Sequence, residues 1–156
     1  MKRVSGFLMA VLLLAACKTS DKKKNGEISP EDRRKDSLRM VEKQKAMEDT
    51  ANYTTIQWLD STFKNMGKVK EGDPVDVTFR FKNTGDHPLV IANVTAGCGC
   101  TVPEKPEEPI MPGAEGTIKA VFNSSGRKDL NKKDIFVDAN TKPSRSHILS
   151  FQVVVE

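Results

Sequence analysis

The chain has 156 residues, enough for one domain of ordinary size, and its 37% hydrophobic and 29% charged residues predict a soluble protein with a packed core. The 25 basic and 21 acidic side chains leave a net charge of +4. That excess is too small to predict binding to nucleic acid or to another polyanion.

The first 16 residues have the features of a secretory signal peptide. Lys2 and Arg3 supply the positive start, and an apolar run follows over residues 7–14. This run is too short to cross a bilayer as a helix, which needs about 20 apolar residues. We therefore expect a cleaved leader over residues 1–16.

The leader ends in Leu14-Ala15-Ala16-Cys17, which resembles the bacterial lipobox. In that motif a signal peptidase cuts before the cysteine, and the cysteine sulfur carries a diacylglycerol. Acyl chains anchor a protein firmly, since each buried CH₂ contributes about 0.8 kcal/mol. The sequence thus predicts lipidation at Cys17; the alternative is an ordinary leader followed by a chance cysteine. Lys18, rather than an aspartate, follows Cys17, so we expect a cell-envelope protein on the outer membrane, facing the periplasm.

Residues 17–53 are predicted to be a charged tether. The stretch 18–26 has no apolar residue, a composition typical of disorder. Ser29 followed by Pro30 and two acids then indicates a helix start, and we expect a helix over 29–49. Its apolar stripe is thin, which favours a solvated spacer over a partner-binding helix.

From Thr54 the hydrophobic pattern changes to a period of two. Val75, Val77, Phe79 and Phe81 alternate with polar residues, as in a half-buried strand. Similar short runs recur to the end of the chain with turn residues between them, and a phase slip near Ala92-Asn93 predicts a β-bulge. Residues 54–156 are therefore predicted to form an all-β, immunoglobulin-like β-sandwich of about seven strands, with Trp58 in its core.

Five segments of this region together resemble domain-of-unknown-function family 1573. The segments are Phe79-Arg80-Phe81-Lys82-Asn83-Thr84-Gly85, Pro88-Leu89-Val90-Ile91, Gly97-Cys98-Gly99-Cys100-Thr101, Ile110-Met111-Pro112-Gly113 and Gly116-Thr117-Ile118. The resemblance covers roughly residues 55–155. It implies an immunoglobulin-like fold in a bacterial secreted protein or lipoprotein, and it implies no activity.

The Gly97-Cys98-Gly99-Cys100 motif is the main candidate for chemistry. With Cys17 lipidated, Cys98 and Cys100 are an even pair in an oxidising compartment. On a strand their Cα atoms would lie about 6.6 Å apart, near the upper limit for a disulfide, and the glycines could relieve this. A structural bridge or buried thiol pair, a reversible redox pair, and a Cu(I) or Zn(II) site are the alternatives.

Two sets of residues bear on those alternatives. His87 and His147 are predicted at the opposite end of the sandwich, roughly 30 Å from Cys98 for His87, which disfavours a mixed cysteine and histidine metal site. A loop over 126–133 is predicted to return to the cysteine end. Its cations would lower the pKa of a thiol there; they are Arg127, Lys128, Lys132 and Lys133.

The sequence contains no recognisable catalytic motif, so we expect no enzyme activity and no cofactor. The tripeptides around Ser37, Thr50 and Ser61 resemble those that some Gram-negative bacteria O-glycosylate. We expect a lipid-anchored protein whose domain binds or scaffolds an envelope protein that the sequence does not identify. The alternative is a thiol redox or copper carrier acting through Cys98 and Cys100.

Overall fold

Within the part of the chain that the structure describes, two packed β-sheets are preceded by one helix. A computed structural model describes residues 29–156, so the predicted leader and Cys17, the predicted lipidation site, lie outside the described residues. Helix α1 is followed by a short 3₁₀ turn, Thr50–Asn52. The elements are α1 Pro30–Glu48, β1 Ile56–Trp58, β2 Phe63–Val69, β3 Pro74–Asn83, β4 Ile91–Ala96, β5 Thr101–Glu104, β6 Glu115–Asn123, β7 Asp129–Ala139 and β8 Ser146–Val155.

The eight strands divide equally between the sheets. One sheet has the order β1-β3-β6-β5 and the other has the order β2-β8-β7-β4. Neighbouring strands run antiparallel, except that β2 and β8 run parallel. The all-β sandwich predicted from the sequence, with about seven strands, is confirmed.

The core lies between the two sheets and is built from alternate residues of the central strands. Phe79 and Phe81 of β3 are completely buried, as period-two patterning requires. The rings of Phe122 and Phe151, one from each sheet, meet edge to face with centroids 5.9 Å apart. Trp58, the predicted core residue of the first strand, is half-buried and packs edge-on against Phe81.

The bulge expected near Ala92 lies where β4 pairs with β7. The register shifts between Ile91 and Asn93, so one extra residue of β4 is accommodated there. This shift keeps Ile91 and Val94 directed toward the core although two residues separate them.

Strand β7 is longer than its apolar pattern indicates. The predicted loop over 126–133 is wrong in its second half, because β7 begins at Asp129 and contains Lys132 and Lys133. These residues pair with Gln152 and Phe151 of β8. The first part of β7 is a strand because its backbone pairs with the apolar end of β8. The side chains of this part of β7 do not alternate between apolar and polar.

Helix α1 begins as predicted and its second half lies against the sandwich. Ser29 Oγ accepts a hydrogen bond from the Asp32 N–H at 3.1 Å, which caps the helix. Lys43 Nζ donates to Glu107 at 2.8 Å, Met47 is buried, and Tyr53 Oη donates to the Met47 carbonyl. The solvated-spacer interpretation is therefore wrong for this half of the helix. No helix of residues 29–156 has the length and apolar character needed to cross a membrane.

Candidate functional site

The Gly97–Cys100 segment is a turn that links the two sheets. It connects β4, at the end of one sheet, to β5, at the end of the other. Cys98 and Cys100 are joined by a disulfide with Cα atoms 5.3 Å apart. The bridge therefore closes a three-residue ring on the side of the sandwich where the chain crosses from sheet to sheet.

The turn explains how two cysteines one residue apart can be bonded. The cysteines lie between two strands, because β4 ends at Ala96 and β5 begins at Thr101, so the strand spacing of about 6.6 Å does not apply to them. The Thr101 N–H donates to the Cys98 carbonyl at 3.3 Å, which closes the turn. A turn shortens the Cα separation into the ordinary range for a disulfide.

The glycines of the motif have a different role from the one predicted. Among the described residues, left-handed φ values occur at other glycines and not at Gly97 or Gly99. A methyl group at Gly99 would meet no atom within 4 Å, and one at Gly97 would lie 3.9 Å from the Phe136 ring. The glycines thus leave one side of the disulfide turn uncovered.

The two sulfurs differ in their surroundings. Cys100 is 6% exposed and belongs to the core, whereas Cys98 is half-buried at its margin. The Thr101 hydroxyl lies 3.8 Å from Cys98 Sγ and 4.0 Å from Cys100 Sγ. Cys98 is therefore the more accessible partner of the disulfide.

The structure brings one of the four predicted cations beside the turn. The Lys133 Nζ lies 5.7 Å from the centre of the Phe122 ring, and Phe122 pairs with Thr101, the residue that follows the turn. Lys132 alternates to the outer face of the sheet. Lys128 Nζ lies 3.8 Å from Glu71, and the Arg127 N–H donates to Ser124.

The histidines lie away from the cysteines, though His147 is nearer than expected. His147 pairs with Val137, which is level with Val94, so it lies about four residue rises, roughly 13 Å, from Cys98 along the strand axis and two strands away across the sheet. Its Nε2 lies 2.8 Å from the Thr141 hydroxyl, and burial lowers the pKa of its ring. No group of three candidate metal ligands occurs within the described range of 29–156.

The three predicted glycosylation positions are all exposed. Ser37 is on α1 and donates to the Arg33 carbonyl, Thr50 starts the 3₁₀ turn, and Ser61 precedes β2. Ser61 Oγ accepts a hydrogen bond from the Phe63 N–H. Their exposure is compatible with modification, which remains a prediction.

An apolar stripe on the outer face of the sheet β2-β8-β7-β4 is not among the sites predicted from the sequence. Its members, which we call the outer stripe, are Phe63 (46% exposed), Phe136 (42%) and Ile148 (58%). Phe136 lies directly opposite Ile148, and Phe63 pairs with Ser150, two residues along β8. Strand alternation could have predicted the exposure of Phe136: Ile135 and Val137 on either side of it face inward, so Phe136 must face outward.

Comparisons with known proteins agree with this fold and assign no activity. A family described as "Protein of unknown function (DUF1573)" matches residues 56–155. No curated protein matches the chain.

Two solved structures share the fold. A protein of unknown function from Porphyromonas gingivalis W83 is 16% identical with a TM-score of 0.59, over 68% of this chain and 49% of that one. The Vibrio cholerae VesB protease is 10% identical with a TM-score of 0.51, over 71% of this chain and 34% of that one. The chain thus spans about half the length of the first and a third of the second, and at these identities the likeness concerns the fold alone.

Proposed function

Since the chain belongs to the DUF1573 family, whose description names no activity, we propose that it is a lipid-anchored cell-envelope protein with a non-enzymatic binding domain. The observation that carries this proposal is the outer stripe. Three large apolar side chains lie close together on a sheet face that also carries the acidic residues Asp134 and Asp138.

The outer stripe has the composition of an interface centre. Fully removing a large apolar side chain from water contributes about 1.5–3 kcal/mol, and these three side chains, which are still about half exposed, would contribute the remaining part in an interface. Asp134 and Asp138 lie on either side of Phe136 along β7, and each accepts a hydrogen bond from a serine hydroxyl of β8, at 2.7 Å. An apolar centre with a polar rim is typical of protein–protein interfaces.

The envelope location rests on the N-terminal motif. Replacing Cys17 with serine removes the sulfur that would carry the lipid. The full-length wild-type chain should sediment with membranes and carry the mass of the acyl chains, and Cys17→Ser should do neither. A wild-type chain of unmodified mass in the soluble fraction would contradict the anchor.

The binding surface can be tested in cells with a photo-crosslinking amino acid. Placed at Ile148, it should give a discrete adduct with an envelope protein, and Phe136→Ser in the same chain should weaken that adduct. Thr78, exposed on the outer face of the other sheet, is the matched control position. Equal adducts at Ile148 and Thr78, or none at either, would contradict a role for the outer stripe.

A thiol redox or soft-metal role is the second candidate, and the partial exposure of Cys98 favours it. A thiolate from a reductant could attack Cys98 Sγ, break its bond to Cys100 and leave Cys100 as the thiolate. Its proton would then come from water, and a second thiol would complete the reduction. The direction of the Lys133 side chain toward Phe122 supports this role, because a nearby cation stabilises a thiolate.

Glutathione buffers can separate the two roles of the cysteine pair. A reduction potential below about −300 mV indicates a structural bridge, and a value well above it indicates a working pair. If the pair is a working one, Lys133→Ser should raise the thiol pKa and Lys132→Ser should not. An alkylation-versus-pH curve identical in the wild type and in Lys133→Ser would contradict thiol activation.

A further inference from the structure

The free edge of β4 exposes unpaired backbone groups at two positions. The hydrogen bond from the Gly97 N–H to the Asp134 carbonyl fixes the alternation of the β4–β7 ladder. In an antiparallel pair, hydrogen-bonded residues alternate with non-hydrogen-bonded ones, so Gly97, Thr95 and Asn93 bond to β7. The N–H and C=O groups of Val94 and Ala96 therefore point away from β7, toward the open edge of the sheet.

The other three edge strands are protected against pairing. β1 has only three residues. β2 carries Lys64 and Lys68 and has a register break between Asn65 and Lys68. In β5 the outward positions are Thr101, whose N–H is already bonded within the disulfide turn, and Pro103, which has no N–H. Charge, bulges, short length and proline are the usual devices that prevent edge-to-edge association.

Strand β4 has none of these devices over Val94–Ala96, because its bulge lies before Asn93. The sequence from Ile91 to Gly97 contains no charged residue and no proline. Helix α1 approaches the start of the strand, where Gln44 and Met47 lie with Ala92 and Asn93 around one hollow. Beyond Asn93, no described segment forms a hydrogen bond to the outward groups of β4.

We propose that the β4 edge is a homodimer interface at which two copies of this chain pair antiparallel about a two-fold axis through Thr95. Val94 of each copy then exchanges both backbone hydrogen bonds with Ala96 of the other. All eight outward N–H and C=O groups are satisfied in this arrangement, and the two four-stranded sheets become one sheet of eight strands. A two-fold interface needs such a self-complementary patch.

A second copy fits this edge better than an arbitrary strand does. The register centred on Thr95 is the one that pairs Val94 with Ala96 of the other copy, and it places the two small, β-branched Thr95 side chains opposite each other, a favourable cross-strand pair. Asn93 of one copy lies opposite Gly97 of the other. Because glycine has no side chain, there is room at this position for the α1 helix that lies beside Asn93. With no charge on either edge, two identical copies approach without repulsion.

The register predicts a specific cross-link. Residues facing each other in a non-hydrogen-bonded pair have Cα atoms about 4.5 Å apart, within the range for a disulfide. Full-length Thr95→Cys, expressed in cells and mildly oxidised, should therefore form a covalent species of twice the monomer mass. Thr78→Cys is the matched control and should stay monomeric.

Two outcomes would overturn the proposal. One is a Thr95→Cys chain that stays monomeric or cross-links no more than Thr78→Cys. The other is a Thr95→Cys adduct with a protein of a different mass.

An independent measurement uses the mature chain from residue 17 with Cys17→Ser, so that no lipid is present. Its mass in solution should rise from monomer to dimer with concentration. Thr95→Lys should weaken association at least tenfold, and Thr78→Lys should behave as the parent chain. Equal association of both lysine variants, or a monomer at every concentration, would count against the β4 interface.

Discussion

Gly116 and Gly99 show how differently the same residue type can be constrained in this protein. A Cβ at Gly116 would lie 2.4 Å from the ring of Phe81, which is completely buried, whereas a Cβ at Gly99 would meet no atom within 4 Å. Overpacking a core typically costs about 1–3 kcal/mol. We expect Gly116→Ala to lower the free energy of unfolding by about that amount and Gly99→Ala to leave it unchanged, as measured by urea unfolding. Equal stability of the two variants would contradict the close approach of β6 to Phe81.

Asp60 makes stability depend on pH in the acid range. The Arg80 guanidinium and backbone N–H donate to its carboxylate and, with Lys64, hold the pKa of Asp60 well below its usual range. As pH falls below about 4, the unfolded chain binds this proton first, so stability present above that pH is lost. Stability of the wild type should fall more steeply between about pH 5 and pH 3 than that of Asp60→Asn.

Urea unfolding midpoints measured across this pH range provide the check on Asp60. Arg80→Met should flatten the pH dependence in part, because it removes the side-chain donor and leaves the backbone donor. If all three chains lose stability in parallel, the ion pair does not contribute as the structure indicates.

At the scale of elements, the disulfide in the turn between the edge strands β4 and β5 stabilises the folded state by only a small free energy. Closing a ring of only three residues restricts the unfolded chain little, and the chain-entropy estimate is about 1–2 kcal/mol. Reduction, or the double variant Cys98→Ser with Cys100→Ser, should lower the free energy of unfolding by about that amount while the fold persists. Urea unfolding with and without reductant tests this, and complete unfolding on reduction would show that the bridge is essential to the fold.

Some elements could be predicted from the sequence and others could not, for identifiable reasons. Strand β3 could be predicted because its polar residues alternate with Val75, Val77, Phe79 and Phe81. The start of β7 could not, because its pairing comes from β8. Likewise, the separation between Cys98 and Cys100 depends on the conformation of the turn between β4 and β5, which hydrophobic alternation does not define.

At the scale of the whole molecule, the docked half of α1 can be tested separately from the sandwich. Met47 is buried against the domain and Lys43 pairs with Glu107, whereas Leu38 is exposed. Met47→Ala should increase amide hydrogen exchange in the second half of α1 without affecting β3 and β6, because the helix can detach locally. Leu38→Ala is the control and should change neither. Equal exchange in both variants would mean that the helix is not docked.

The docking of α1 on the sandwich could not be predicted from the hydrophobic pattern of the chain. The apolar face of the helix is too thin to predict a partner surface, and the contacts that hold it come from Glu107 in a distant loop and from Tyr53. Such pairings depend on tertiary structure. The class of fold, by contrast, follows from local alternation repeated over a hundred residues, and so the sandwich could be predicted while its helix attachment could not.

The parallel pairing of β2 with β8 has a mechanical consequence. The two strands run in the same direction, with Phe63 level with Ser150 and Val69 level with Val155. Tension applied between the N-terminal side of the chain and its last residues would slide β2 and β8 past each other along their axes. Their hydrogen bonds would then carry the load together instead of opening one after another. A sandwich pulled by its two ends should therefore resist force better than one whose terminal strands pair antiparallel.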